Sequence, residues 1–153
     1  MQYVIKPFEA LSNIELYNIL QLRQEIFIIE QACIYPDIDH KDEHAVHLMA
    51  FDGDKLVGCL RVLEQGVSFP EASIGRIVVA EGSRGRGIAK EMLEQALDFM
   101  QRERGEKGVK ISAQAYAIPL YERVGFAVVS DPYLEDDILH VDMLCELEGQ
   151  CDV

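Results

Sequence analysis

The sequence predicts a mixed α/β fold around one sheet. Strand-like runs cluster in the middle of the chain, amphipathic helical runs lie between strands, and glycine- or proline-containing turn signals separate them. The chain has 153 residues, the length of one ordinary domain, and 49% of them are hydrophobic, enough for a packed core. No linker, repeat or low-complexity tract divides it, so residues 1–153 are read as a single domain.

Tyr3-Val4-Ile5 reads as a short first strand. Ser12 and Glu15 stand at capping-box spacing, with Leu16, Ile19, Leu20, Ile26 and Phe27 following at helical intervals, which predicts a helix from about residue 12 to 30. Residues 33–43 are a polar, Asp-rich connection, a loop or short helical turn. Residues 46–51 and 56–63 are strand-like, and Asp52-Gly53 between them is a hairpin signal. A strand over 72–80 then enters a glycine-rich turn over 81–87. The next helix carries the apolar stripe Ile88, Met92, Leu93, Ala96, Leu97 and Met100, and Gly105 marks its end. Residues 109–115 are strand-like. Pro119 suits the first turn of a short helix ending at Gly125, because the N–H it lacks has no intrahelical partner there. Residues 126–130 and 139–147 supply two final strands.

The formal net charge of −13 repels phosphate backbones, so no nucleic-acid partner is expected. No run approaches the roughly 20 apolar residues that span a bilayer, and the first residues lack a secretory pattern. The expected location is therefore cytoplasmic, without a membrane partner. Cys33, Cys59, Cys145 and Cys151 show no C-x-x-C spacing and read as free thiols. His44 and His47 lack ligand spacing, and Asp37, Asp39 and Asp42 do not fit an EF-hand, so no metal is expected. That acidic run reads as a solvated loop or as an attractant for a cationic amine.

The positive charges are uneven: Arg76, Arg84, Arg86 and Lys90 share one short span in a chain with 14 Lys and Arg. Within it, Ile74 to Ala89 brings a strand into a turn containing Gly82, Gly85 and Gly87 that opens directly into a helix. Helix N-termini present unsatisfied N–H groups and partial positive charge, glycines allow close approach, and the arginines add full charges. This is an anion cradle. It lacks the Gly-Lys-Ser/Thr ending of a P-loop and does not fit Gly-x-Gly-x-x-Gly.

Arg84-Gly85-Arg86-Gly87-Ile88-Ala89 resembles the Arg/Gln-x-x-Gly-x-Gly/Ala motif of the GNAT acetyltransferases, in the same strand–turn–helix context. Leu120-Tyr121-Glu122-Arg123-Val124-Gly125-Phe126 resembles that family's Leu-Tyr-x-x-x-Gly-Phe segment, and it too follows a strand. The run Leu22 to Gln31, the acidic positions after Tyr35, Gln114-Ala115 and Glu135 to His140 look like the ElaA-like branch, so the resemblance covers nearly the whole chain.

The resemblance implies a mostly antiparallel central sheet of about six to seven strands, flanked by helices and splayed where acetyl-CoA binds. It implies acetyl-CoA as co-substrate, with its pyrophosphate on the amides of Arg84, Gly85, Arg86, Gly87, Ile88 and Ala89, and its pantetheine arm along Ile77, Val78 and Val79. Gln114 and Tyr121 would also face the donor. An N–H near Val78 or Val79 would stabilise the oxyanion, and Tyr121 would give a proton to the departing thiolate. The expected reaction is direct acetyl transfer to a primary amine of a small molecule or peptide; the alternative is a CoA-binding sensor with little catalysis. Arg76 stands where some family members carry a glutamate base. Glu30 and His140 are the candidate bases here, since histidine changes charge near neutrality, although His140 equally suits a hydrogen bond beside the last strand. Glu30-Gln31 is either a wall of the acceptor pocket or a solvated helix end. Family members often pair, so a homodimer is possible.

Overall fold

A computed structural model describes residues 1–147; Cys151 lies outside the described residues. β1 (Gln2–Pro7), β2 (Val46–Asp52), β3 (Lys55–Leu63) and β4 (Ser73–Val79) form an antiparallel sheet in sequence order. In the second sheet β8 (Ile138–Glu146) lies between β5 (Gly108–Gln114) and β6 (Phe126–Val128), and also pairs with β7 (Tyr133–Glu135). The expected mixed α/β fold with a mostly antiparallel, splayed sheet is present; the strands number eight, in two sheets, where about six to seven were expected. They touch where β4 and β5 begin: Ala72 bridges Val109 in parallel, and the Lys110 N–H donates to the Ala72 carbonyl at 2.9 Å. Beyond that point the two strands part. β7 is the strand the periodicity does not reveal. It is three residues long and half-exposed, and its turn uses Asp136 and Asp137 at φ 50° and 63° instead of the Asn-Gly pair that marks such hairpins.

The first helix begins as its capping box dictates. The Ser12 hydroxyl accepts from the Glu15 N–H at 3.1 Å, and Glu15 accepts from the Ser12 N–H at 2.8 Å. α1 (Asn13–Arg23) then continues as a π-helical segment, Gln24–Glu30, a widening that periodicity alone does not indicate. α2 (Ile88–Arg102) follows the glycine-rich turn, and the short α3 (Ile118–Glu122) carries Pro119 in its first turn.

Alternation along the strands loads both faces of the first sheet. Leu48 and Ala50 face α2, where Met92, Leu93, Ala96 and Met100 join them in a core that continues onto Ile111 and Met143 of the second sheet. Met49, Cys59 and Val78 face the other way and pack under Ile19, Leu22 and Ile26. The α2 stripe read from sequence is the buried one, whereas of the first helix's stripe Ile19 and Ile26 are buried and Leu16, Leu20 and Phe27 are half-buried.

The Asp-rich connection corrects the expectation of a solvated, amine-attracting run. Asp37 and Asp42 are buried and Asp39 is half-buried. Arg23, only 1% exposed, donates to Asp37 at 3.0 Å and to Asp42 at 2.7 Å. Arg61 donates to Asp39 at 2.6 Å and to Asp42 at 3.0 Å, and Arg76 pairs with Asp37 at 2.7 Å. These carboxylates already hold their cations, so their charge is spent within the fold. Burial alone would raise the pKa values of Asp39 and Asp42, but hydrogen bonds from Arg61 and from Arg23 respectively hold both below the ordinary range. His47 is kept neutral by burial, with its Nε2–H donating to the Asp42 carbonyl at 2.9 Å.

Stability is expected to fall in two steps on acidification. The unfolded chain protonates His47 below about pH 6.5 while the folded chain resists, and the unfolded aspartates take up protons below about pH 4. Urea midpoints measured between about pH 7.5 and pH 3 check this; a midpoint independent of pH would contradict it.

Candidate active site

The parting of β4 from β5 opens a cleft of about 1310 Å³. Its β4 wall is shaped by a bulge. Cys59 pairs with Val78 and Arg61 with Gly75, so Arg76 and Ile77 together oppose Leu60, and Arg76 takes φ 51°. Past the bulge, the Ala80 N–H donates back to the Val57 carbonyl on β3 at 2.8 Å. By strand alternation the N–H and C=O of Val79 therefore point away from β3, into the cleft. Between Val78 and Val79, the amide that can meet a developing oxyanion is that of Val79. Among the described residues no strand pairs with the edge of this half of β4 that faces away from β3.

The chain then turns into α2. Gly85 and Gly87 hold φ 79° and 76°, which a side chain would strain although both sites have open space around them. Gly87 is the N-cap residue of α2 and, among the described residues, no side chain caps the helix, so its first-turn amides are left without a capping partner beside the cleft. Gly85, Gly87, Ala89 and Lys90 line the cleft. Ile88 also lines the cleft, although its side chain is buried in the core beneath α2.

Both arginines of the turn already hold carboxylates. Arg84 donates through its two Nη atoms to Glu30, each at 2.7 Å, and through Nε to the Val79 carbonyl at 3.2 Å. Arg86 stands outside the cleft lining and pairs with Asp52 at 3.1 Å. The Arg84 hydrogen bond lowers the pKa of Glu30. A carboxylate held this way is a poor proton acceptor, which counts against Glu30 as the base.

Across the cleft, the β8 register sets Gln114 and Tyr133 on either side of His140. His140 is 7% exposed; its Nδ1–H donates to the Ile138 carbonyl at 2.7 Å and its ring stacks on Tyr133. The bond beside the final strand expected of His140 is therefore present. It also fixes the tautomer, because with Nδ1 donating, Nε2 of the neutral ring keeps its lone pair. Glu135 lies 3.9 Å from Nε2. The Tyr133 hydroxyl donates to Asp142 at 2.6 Å and meets Ser112 at 2.5 Å; burial first, then the Asp142 bond, pushes its pKa up to about 12. Tyr133, Ser112 and Asp142 escape the sequence reading because β7, which brings Tyr133 against His140, carries no period-two signal. Gln114 exchanges amide hydrogen bonds with Gln31 at 3.2 and 3.4 Å, and Gln31 also donates to the Tyr116 hydroxyl at 3.3 Å.

Tyr121 rises from α3 into the same cleft. It is 8% exposed and packs edge-on against Phe126, with ring centroids 5.8 Å apart. Burial, reinforced by nearby Tyr116, pushes its phenol well above the ordinary range, so it stays protonated.

Residues 19–147 match the family model described as an acetyltransferase (GNAT) domain. A UPF0039 protein of Schizosaccharomyces pombe is 40% identical over 149 residues, 96% of this chain and 98% of that protein. ElaA of Escherichia coli is 34% identical over 139 residues, covering 90% and 91%. The crystal structure of Escherichia coli ElaA superposes with a TM-score of 0.88 at 32% identity, covering 95% of this chain and 100% of that one. An acyl-CoA N-acyltransferase from Pseudomonas aeruginosa gives 0.88 at 36% identity, covering 95% and 99%. By sequence and by fold, the chain belongs to the GNAT family of N-acetyltransferases, in its ElaA-like branch.

Proposed function

We propose that the chain transfers an acetyl group from acetyl-CoA to a primary amine of a small molecule or peptide by direct attack on the thioester. The observation that carries this reading is the continuity of the unpaired Val79 edge with the uncapped N-terminus of α2. The edge suits an amide-containing arm that adds like a strand, and the helix start suits a diphosphate. The acyl-CoA N-acyltransferase from Pseudomonas aeruginosa, with 36% identity across the same fold, supports a thioester donor.

In this reading the Gly85–Gly87 turn and the first amides of α2 take the pyrophosphate, with Lys90 beside them. The Val79 N–H receives the charge that develops on the carbonyl oxygen. His140 Nε2 accepts the proton of the attacking amine, and the Tyr121 hydroxyl supplies one to the leaving thiolate, so the proton count balances. His140 and Tyr121 take opposite roles because their surroundings differ. Nδ1–H donation leaves a lone pair on one, and burial keeps the proton on the other.

The test is thiol release from acetyl-CoA across a panel of diamines, amino acids and short peptides. The proposal expects steady turnover with at least one amine, and the His140→Gln variant should lose about 10²-fold or more in kcat/KM with that amine. Binding of CoA without turnover on any amine would instead favour a CoA-binding sensor.

A further inference from the structure

Glu30 and Gln31 are consecutive residues, yet they hold opposite walls of the cleft. Glu30 closes the π-helical segment and grips Arg84 through both carboxylate oxygens, at 2.7 Å each. Gln31 turns to the other side, exchanging hydrogen bonds with Gln114 on β5 and reaching Tyr116. Between those two attachments lies the opening where β4 and β5 part. The same Arg84 covers the inward-facing Val79 carbonyl through Nε at 3.2 Å. One side-chain pair thus occupies a guanidinium at the phosphate turn and a backbone acceptor on the free strand edge.

We propose that Glu30 is an internal competitor for the donor's phosphates, and that with Gln31 it forms a strap across the cleft that donor binding must open. The inference rests on the donor-site reading above. A diphosphate arriving at the amides of the turn brings negative charge to Arg84 in place of the Glu30 carboxylate. Once Arg84 turns to the phosphates, the Val79 carbonyl is free to pair with the amide-bearing arm. The strap would then admit donors that carry phosphate and resist neutral thioesters, which have nothing to exchange for Glu30.

The strength of the contact suits this role. Glu30 and Arg84 are both more than a third exposed, and such pairs are weak and screened by salt. The Arg23 and Arg61 pairs are buried and brace the fold. Arg84–Glu30 is an exchangeable contact at the site's entrance, and the Arg86–Asp52 pair at the turn's outer side is exposed to a similar degree.

Calorimetric titration with CoA of the wild type, Glu30→Gln, Arg84→Ala and the double variant tests the inference. Glu30→Gln should bind CoA about two- to five-fold more tightly than wild type, the scale of one partly exposed ion pair. The gain should vanish in the Arg84→Ala background and shrink as salt is raised. Unchanged or weaker CoA binding by Glu30→Gln would overturn the strap while leaving the donor site standing. An equal gain with Arg84→Ala already in place would also overturn it. Absence of CoA binding by every form would remove the donor-site reading and the strap together.

Discussion

Replacing Tyr121 by Phe should lower kcat by about 10²-fold and leave CoA affinity within about two-fold. Phenylalanine keeps the edge-on contact with Phe126, so the cleft wall is preserved and only a hydroxyl is lost. General-acid catalysis contributes roughly 10²- to 10⁴-fold; a thiolate leaves more easily than an alkoxide or amide, which sets the expectation at the lower end. The raised pKa matters here, because burial keeps the proton on Tyr121 throughout the working range, and so loss of the hydroxyl should act at every pH tested. Thiol release at saturating amine, paired with a CoA titration, gives both numbers. A variant with full kcat would remove Tyr121 from the reaction. A variant that failed to bind CoA would make its role one of donor binding.

Arg23→Ala should cost about 3–5 kcal/mol of stability, a fall of roughly 2 M in urea midpoint. Its guanidinium makes two contacts with Asp37, one to the side chain and one to the backbone carbonyl, and another with Asp42, all in the interior. Without it, two desolvated carboxylates lose a shared cation, and Arg61 and Arg76 compensate only in part. The consequence reaches the cleft. Arg76 stacks over Tyr35 at 5.4 Å, Tyr35 meets Phe27 edge-on, and Phe27 belongs to the segment that ends at Glu30. An Arg23→Lys variant, which keeps the charge but loses the planar fork, should fall between the two. A loss below about 1 kcal/mol for Arg23→Ala would mean that the network contributes little beyond its own desolvation cost.

How much of this was legible in the sequence depends on the range of the signal. The capping box, the α2 stripe and the glycine-rich turn are local, and each appears where the residues place it; the hairpin read at Asp52-Gly53 forms one residue later, with Gly53-Asp54 as its loop. Gly85 and Gly87 take left-handed backbone, which glycine adopts without steric cost. What escaped depends on partners distant in sequence. Asp37, Asp39 and Asp42 read as a solvated run because nothing local indicates that Arg23, Arg61 and Arg76 converge on them from a helix and two strands. The bidentate hold of Arg84 on Glu30 spans 54 positions. The stacking of Tyr133 on His140 depends on a strand of three residues. The parting of β4 from β5 is the splay that the family resemblance implied; neither composition nor periodicity encodes it.

The most direct test of the central claim is a calorimetric titration of the purified protein with acetyl-CoA and, in parallel, with NAD. Both ligands carry an adenosine diphosphate, but only acetyl-CoA has the arm suited to the Val79 edge. The account predicts saturable binding of acetyl-CoA, weakened by Arg84→Glu, with NAD binding at least about ten-fold more weakly, the equivalent of losing the strand-like contacts of the arm. Equal affinity for the two ligands, or no acetyl-CoA binding at all, would contradict it.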